Sequence, residues 1–126
     1  MNRFLDNDVD VRTLSPLALA FVGDGVYSLL VRERLLTQAN RPVGDLHTLA
    51  VKSVCAEAQS RAVERLIPHL TEEEEAAYKR GRNAHTSRNS AEYHRATGLE
   101  ALFGYLYLDG RIERVKELFS IAMGEE

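Results

Sequence analysis

An all-α fold is predicted for this chain of 126 residues, and three features of the sequence predict it. Two stretches, residues 14–31 and 96–108, are apolar around the whole circumference of a helix and carry one carboxylate apiece. Helix start and stop signals mark the remaining segments. No stretch alternates apolar and polar residues for long, so no sheet is expected. We therefore expect a single helical domain over residues 1–126, with residues 1–12 as a loosely held amino-terminal arm.

The first helix is predicted over residues 14–36, with Ser15 as its N-cap and Pro16 in its first turn. Asp24 is the one charged residue between positions 13 and 31. A helix of this composition has no obvious water-facing side, so we expect it to be the central, buried helix. Because Gly23, Asp24 and Gly25 interrupt the apolar run, a membrane span is not expected. Asp24 is predicted to line up with core positions, which are Leu17, Ala20, Phe21, Ser28, Val31 and Leu35.

A turn at residues 39–44, rich in Pro and Gly, precedes a second helical region that Asp45 can cap. This region is predicted to run to about Pro68, with a break near residues 53–55. The sequence Thr71-Glu72-Glu73-Glu74 then forms a capping box. Its glutamates at the start and the basic residues at the end match the helix dipole. A well-capped exposed helix is therefore favoured over a metal site for this acidic run.

A polar, basic loop is predicted at residues 81–89, and Ser90 opens the next helix. Glu100 is the single charge in the apolar stretch 96–108, and small residues along that stretch favour close packing against other helices. Asp109-Gly110 ends this helix. A last amphipathic helix is expected over residues 111–122.

The overall charge does not suggest a nucleic-acid binder, since the net charge is −3 and the isoelectric point is near 5.8. Residues 79–95 reverse the sign locally, with five Lys or Arg and two His against the single acid Glu92. This segment is either a phosphate-contact surface or a solvated loop. A single cysteine fits a reducing compartment, and no secretion signal follows the amino terminus. A cytoplasmic location is therefore expected.

Asp24 and Glu100 are the residues whose chemistry demands an explanation. Helices that cannot face water pack in the core, where two neighbouring carboxylates repel and resist ionisation. A Mg²⁺ ion would relieve this, because it takes oxygen ligands and needs only one or two carboxylates plus a substrate phosphate. That arrangement suits phosphodiester hydrolysis. Taken singly, each acid has another explanation: Asp24 is hydrogen-bonded beside a helix kink, and Glu100 pairs with a cation such as Arg95.

Three motifs resemble the ribonuclease III catalytic-domain family. The stretch LALAFVGDGVYSLLVRERLL is similar to the signature helix of that family, and ATGLEALFGYLYLDG is similar to its second carboxylate helix. The stretch EEEEAAYKRGRNAHTS resembles the branch called Mini-ribonuclease III, which lacks a double-stranded-RNA-binding domain. The motifs fall in the family order and span about residues 14–120.

The resemblance implies an all-helical homodimer that cleaves both strands of duplex RNA with Mg²⁺. By position it implies Asp24 and Glu100 as the catalytic, metal-binding residues. Ala20, Thr97 and Val43 stand where longer family members carry further acids, which puts a second tightly held metal in doubt. For the Mini branch the implied task is maturation of large-subunit (23S) ribosomal RNA precursors, with a ribosomal protein as a potential helper. The expected phosphate contacts in the basic segment are Lys79, Arg80, Arg82, Arg88 and Arg95.

The leading hypothesis is thus a Mg²⁺-dependent endoribonuclease specific for duplex RNA. The first alternative is a catalytically silent helical domain that binds structured RNA or a protein partner through its basic loop. The second alternative is a purely structural dimer module. The three differ in whether RNA is cleaved, bound without cleavage, or not bound.

Overall fold

A computed structural model describes residues 3–84, 87 and 90–125 of the chain. Within these residues all regular secondary structure is helical, so the all-α prediction is confirmed. Short 3₁₀ turns lie at Val11–Thr13 and Ile67–His69. The α-helices are α1 (Pro16–Gln38), α2 (Val43–Val54), α3 (Ala56–Leu66), α4 (Glu72–Arg82), α5 (Ala91–Leu108) and α6 (Ile112–Ala122).

Helix α5 is the centre of the domain. From Ala96 to Leu106 every residue of α5 except Glu100 is buried, and α5 contacts α1, α3, α4 and α6. The prediction that the first helix is the central one is therefore wrong. Helix α5 takes that place because neighbours cover it on all sides, as its lack of a polar face requires.

Helix α1 has a water-facing side, contrary to the prediction. Its buried side carries Leu19, Ala20, Gly23, Tyr27, Val31 and Leu35. Asp24 is exposed, and Phe21, predicted to be in the core, is 83% exposed. The apolar composition of α1 suggested that every side of this helix is buried. However, α1 packs on α5 with one side, and the apolar side chains on its other side are exposed to solvent.

Two glycines set the distance between α1 and α5. A Cβ atom added to Gly23 would lie 1.6 Å from the carbonyl oxygen of Glu100, and one added to Gly104 would lie 1.9 Å from the carbonyl oxygen of Leu19. Neither position has room for a side chain, because the two backbones are in direct contact. The crossing point is therefore fixed to within one residue on each helix.

The second helical region breaks where the sequence predicted. Helix α2 ends at Val54 and α3 begins at Ala56, with the half-buried Cys55 between them. The predicted cap is displaced, because α2 begins at Val43 after Pro42, and Asp45 lies in its first turn. Asp45 thus contributes a negative charge near the helix amino terminus without capping it.

The acidic start of α4 forms the predicted capping box: Glu74 N–H donates to the Thr71 hydroxyl, and Thr71 N–H donates to the Glu74 carboxylate. The helix is less exposed than predicted, because the Glu74 side chain is only 2% exposed. Arg114 of α6 donates to both Glu74 oxygens, at 2.7 and 2.8 Å. Glu73 in turn accepts hydrogen bonds from Arg111 and from the Tyr105 hydroxyl. The glutamates therefore tie α4 to α5 and α6.

The amino-terminal segment runs along the end of α5. Arg3 is buried, and the Phe4 N–H donates a hydrogen bond to the Tyr107 hydroxyl at 2.9 Å. The side chains of Phe4 and Leu5 are exposed. In the part of the chain that the structure describes, no helix combines the length and apolar character needed to cross a membrane.

The backbone contact between α1 and α5 predicts opposite effects of alanine at two glycines. Gly104→Ala is expected to lower the free energy of unfolding by at least about 2 kcal/mol, because the helices must separate. Gly25→Ala is the matched control, since nothing lies within 4 Å of its added Cβ, and it should gain about 0.5–1 kcal/mol. Urea unfolding followed by circular dichroism measures both. Equal stabilities of the two variants would contradict the direct contact.

Candidate active site

The crossing of α1 and α5 brings the carboxyl groups of Asp24 and Glu100 together. Asp24 follows Gly23, whose backbone packs on the backbone of Glu100 itself. The two side chains are near enough to share a hydrogen bond. They differ in surroundings: Asp24 is exposed, whereas Glu100 is half-buried. The pair therefore has one acid in water and one acid against the core.

The electrostatics of this pair are unfavourable without a counter-charge. Burial raises the pKa of Glu100 to about 7, and the neighbouring Asp24 carboxylate raises it as well. A hydrogen bond from Gln59 lowers it and offsets only part of that rise. Near neutral pH Glu100 is therefore partly protonated.

Gln59 of α3 is a site residue that the sequence analysis missed. Its side chain is 1% exposed, and its Nε2 donates to Glu100 Oε2 at 3.4 Å. Because an ionised carboxylate only accepts hydrogen bonds, the amide nitrogen must face Glu100. The amide oxygen is then buried without a hydrogen-bond partner. A signal was available: Gln59 is in helical register with the buried Ala62, Val63 and Leu66.

Tyr27 lies near Glu100 and is another residue that sequence reasoning did not select. It is 1% exposed, and burial raises its pKa above the ordinary value. The negative charge of Glu100 also raises the pKa of the Tyr27 hydroxyl, whereas the positive charges of Arg65 and Arg34 lower it. Its hydroxyl is buried and has no hydrogen-bond partner among the described residues. The surroundings of Glu100 thus include a buried tyrosine whose hydroxyl group is unsatisfied.

These residues fit a hard divalent cation. The nearby ligands are the carboxylates of Asp24 and Glu100, both of them oxygen donors. Within the described part of the chain, no group of three or more His, Cys, Asp or Glu could hold a metal. The protein would supply few ligands, and water or substrate oxygens the rest. That pattern is typical of Mg²⁺ sites that act on phosphates.

Three positions where longer members of the resembled family carry further acids are occupied here by Ala20, Thr97 and Val43. Ala20 lies on the buried side of α1. Thr97 is also buried, and its hydroxyl donates to the Tyr93 carbonyl at 3.0 Å. Val43 is 69% exposed at the start of α2. Among the described residues of this site, Asp24 and Glu100 are therefore the two that carry a carboxylate.

The alternative pairing of Glu100 with Arg95 is wrong. Arg95 Nε donates to the Ser60 hydroxyl instead. No cation of the described residues lies within ion-pair distance of Glu100. Glu100 therefore keeps a carboxylate that is available to a metal ion.

The predicted phosphate contacts are spread over the end of α4 and the first half of α5. Lys79 forms an exposed ion pair with Glu75 at 3.4 Å. Arg80 is exposed and has no ion-pair partner among the described residues. Arg82 donates to the Asn83 side chain and lies over the Tyr78 ring. Arg95 is half-buried, and Arg88 lies outside the described residues.

Comparison with known proteins adds independent information. The ribonuclease III domain model matches residues 17–111. Mini-ribonuclease 3 of Thermoanaerobacter sp. (strain X514) is 47% identical, over 90% of this chain and 83% of that protein. Mini-ribonuclease 3 of Streptococcus pneumoniae is 40% identical, over 89% and 93% of the two chains. A crystal structure of a protein from Fusobacterium nucleatum is 34% identical, superimposes with a TM-score of 0.81, and covers 91% of this chain and 96% of that one.

The strained carboxylate pair predicts how stability depends on pH in a chelator. The folded-state pKa of Glu100, about 7, exceeds the unfolded value of roughly 4.3. The folded state therefore binds more protons between these values, and stability falls as pH rises from about 4.3 to 7. Glu100→Gln removes this dependence. At pH 8 its free energy of unfolding should exceed that of the wild type by roughly 1–3 kcal/mol, so it should unfold at a higher urea concentration.

The control is Glu64→Gln, which neutralises an exposed carboxylate on α3 and should leave the pH profile of the wild type unchanged. Urea titrations in EDTA at several pH values between 5 and 8.5 provide the comparison. A Glu100→Gln variant that is less stable than the wild type at pH 8 would contradict the cost of a charged Glu100, which comes first from burial and then from Asp24.

Proposed function

The chain belongs to the ribonuclease III family, and we propose that its endoribonuclease activity depends on Mg²⁺ and is directed at duplex RNA. The observation that carries this proposal is the contact between Asp24 and Glu100. Two acids that repel each other at neutral pH are costly to retain unless a cation joins them. Phosphodiester hydrolysis is the chemistry that a Mg²⁺ ion in such a site performs.

In this proposal Asp24 and Glu100 hold the ion, which when bound neutralises charge on the phosphate and supplies an activated water. The other residues act on the two acids. The hydrogen bond from Gln59 orients the Glu100 carboxylate and favours its ionised form. Tyr27 and the buried face of α5 keep water away from one side of Glu100. Asp24, being exposed, faces the side from which an RNA backbone can approach.

The proposed substrate is ribosomal RNA precursor, namely the duplex ends of the large-subunit (23S) RNA, and the resemblance to the Mini branch supports this choice. Duplex RNA is recognised by its shape and backbone, so local positive charge suffices on a chain of net charge −3. Lys79, Arg80, Arg82, Arg88 and Arg95 are the proposed contacts. A cytoplasmic location and assistance from a ribosomal protein belong to the same proposal.

We further propose that the enzyme is a homodimer built on the exposed side of α1. The small residues of α5 are buried within one chain, so they cannot form a dimer face. On α1, Leu17, Phe21, Leu29 and Leu36 form an exposed apolar face, with Phe21 83% exposed. An apolar cavity of about 180 Å³ lies at the far end of this face, lined partly by Leu35, Leu36, Val43 and Leu46.

A two-fold axis would use both features at once. In an isologous dimer the same patch meets itself, so a protruding group on one copy can enter a cavity on the other. Phe21 and the cavity lie on the same face of α1. Along the helix axis, Phe21 comes before Gly25 and the cavity comes after it. Antiparallel packing of two α1 helices would therefore seat each Phe21 in the opposite cavity. The dimer would carry two carboxylate pairs, one for each RNA strand.

The catalytic proposal predicts loss of activity without loss of fold. Asp24→Asn and Glu100→Gln should each lower the rate of duplex RNA cleavage by roughly 100-fold or more, because each removes a charge that binds the ion. The readout is a gel assay on a structured ribosomal precursor, with and without Mg²⁺, with circular dichroism as the folding check. Glu64→Gln serves as the matched control and should cleave at the wild-type rate.

Retained cleavage in either carboxylate variant would overturn the proposal. RNA binding that is indifferent to Mg²⁺, with no products from the wild type, would support the catalytically silent domain instead. An absence of salt-dependent RNA affinity would support the purely structural module.

The dimer proposal predicts that Phe21→Asp converts the protein to monomers, because a charge cannot enter an apolar cavity without a partner. Sedimentation equilibrium should give twice the 14.2 kDa chain mass for the wild type and the single mass for the variant. Leu5→Asp is the control, since Leu5 is 70% exposed and lies outside this face. A monomeric wild type would contradict the proposal.

A further inference from the structure

A second group of basic residues lies outside the segment 79–95 that holds the predicted phosphate contacts. Arg34 of α1, Lys52 of α2 and Arg61 and Arg65 of α3 line an open cavity of about 240 Å³. We call this the basic cavity. Its lining includes Ser53 and is mainly polar, unlike the apolar cavity near Leu36. Four cations thus converge on one cavity in a chain whose net charge is −3.

Two of these cations have structural partners. Arg34 forms an ion pair with Glu125 at 2.6 Å. Arg65 Nε donates to the Ala122 carbonyl at 2.8 Å, which places a positive charge at the carboxyl end of α6. Both arginines therefore help to hold the carboxyl-terminal segment against α1 and α3.

The other two cations have no such role. Among the described residues no carboxylate lies within ion-pair distance of Lys52 or Arg61, and both are exposed. Glu125 is the single acid that pairs with any of the four cavity cations in the described part of the chain. Like charges that surround one cavity repel, and an anion bound between them relieves the repulsion.

The basic cavity is close to the proposed catalytic carboxylates along two helices. On α3, Gln59 contacts Glu100, and Arg65 follows it by six residues, about 9 Å along the helix axis. On α1, Arg34 follows Asp24 by ten residues, about 15 Å. An RNA strand at the carboxylates would thus pass within reach of the cavity a short way along its backbone.

We propose that the basic cavity binds the RNA backbone, with Lys52 and Arg61 as its phosphate contacts. This inference rests on the proposed function and extends it to a site outside residues 79–95. Arginine and lysine are the side chains that proteins use for phosphate oxygens, through charge-assisted hydrogen bonds. Glu125 lies against Arg34 at the cavity edge and repels the approaching phosphates.

The experiment compares RNA affinity in Lys52→Gln/Arg61→Gln with a double variant of exposed cations elsewhere, Arg12→Gln/Lys116→Gln. Fluorescence anisotropy with a labelled RNA duplex in EDTA, at several salt concentrations, gives Kd and its salt dependence. The cavity variant should bind about 10- to 30-fold more weakly, and its slope of log affinity against log salt should fall by about 1.4–1.8 for two lost contacts. The control pair should match the wild type in both.

Two further measurements complete the test. Glu125→Gln should bind the duplex about 2- to 3-fold more tightly, because it removes a competing charge. In Mg²⁺ the cavity variant should show a raised KM and an unchanged kcat, since Lys52 and Arg61 are proposed to bind the RNA backbone and not the ion or the reacting phosphate. Circular dichroism checks that both proteins fold.

The outcomes separate this inference from the proposed function. A wild type that cleaves duplex RNA, with unchanged Kd and salt slope in the cavity variant, would overturn the inference alone. A wild type that does not cleave, whose salt-dependent binding is still lost in the cavity variant, would overturn the proposed activity and support the cavity. Binding of poly-glutamate at this cavity, without any effect on RNA affinity, would indicate an acidic protein partner and overturn the inference.

Discussion

The structure depends on the backbone contact between α1 and α5 at Gly23 and Gly104. Nothing larger than a hydrogen atom fits at either position, since an added Cβ would meet a carbonyl oxygen at 1.6 or 1.9 Å. The contact sets the register of the two helices and, with it, the position of Asp24, which is the next residue after Gly23. Because Gly23 packs on the backbone of Glu100, the same contact that closes the core also brings the two acids together. Fold and site are thus consequences of one close approach.

The site is unfavourable to the fold that carries it. Burial and the neighbouring Asp24 both raise the pKa of Glu100, and the Gln59 amide oxygen and the Tyr27 hydroxyl are buried without partners. Unsatisfied groups of this kind lower stability and cluster at functional sites. The rest of the domain compensates through ordinary means, such as the buried face of α5 and the Glu74–Arg114 ion pair between α4 and α6.

The distribution of charge explains how an acidic chain can belong to a family of RNA enzymes. Three of the four glutamates at the start of α4 are not free charges, because Glu73, Glu74 and Glu75 are paired with Arg111, Arg114 and Lys79. The unpaired cations, such as Arg80, Lys52 and Arg61, remain available at the surface. Net charge therefore describes this protein poorly, since what a phosphate meets is the local balance of charges left unpaired by the fold.

The sequence by itself determined the helical class, most helix ends, the break near Cys55, the capping box at Thr71 and the presence of one acid in each of the two apolar stretches. These features depend on short-range chemistry, such as capping hydrogen bonds and glycine or proline effects within a few residues. Only the tertiary structure decided that α5 rather than α1 is central, that Asp24 and Phe21 face outward, that Gln59 and Tyr27 lie near Glu100, and that four cations from three helices line the basic cavity. Those outcomes depend on which side of each helix meets another one. An apolar helix with no polar face gives no periodic signal for that choice, and residues far apart in the chain, such as Arg34 and Arg61, meet only when the helices pack.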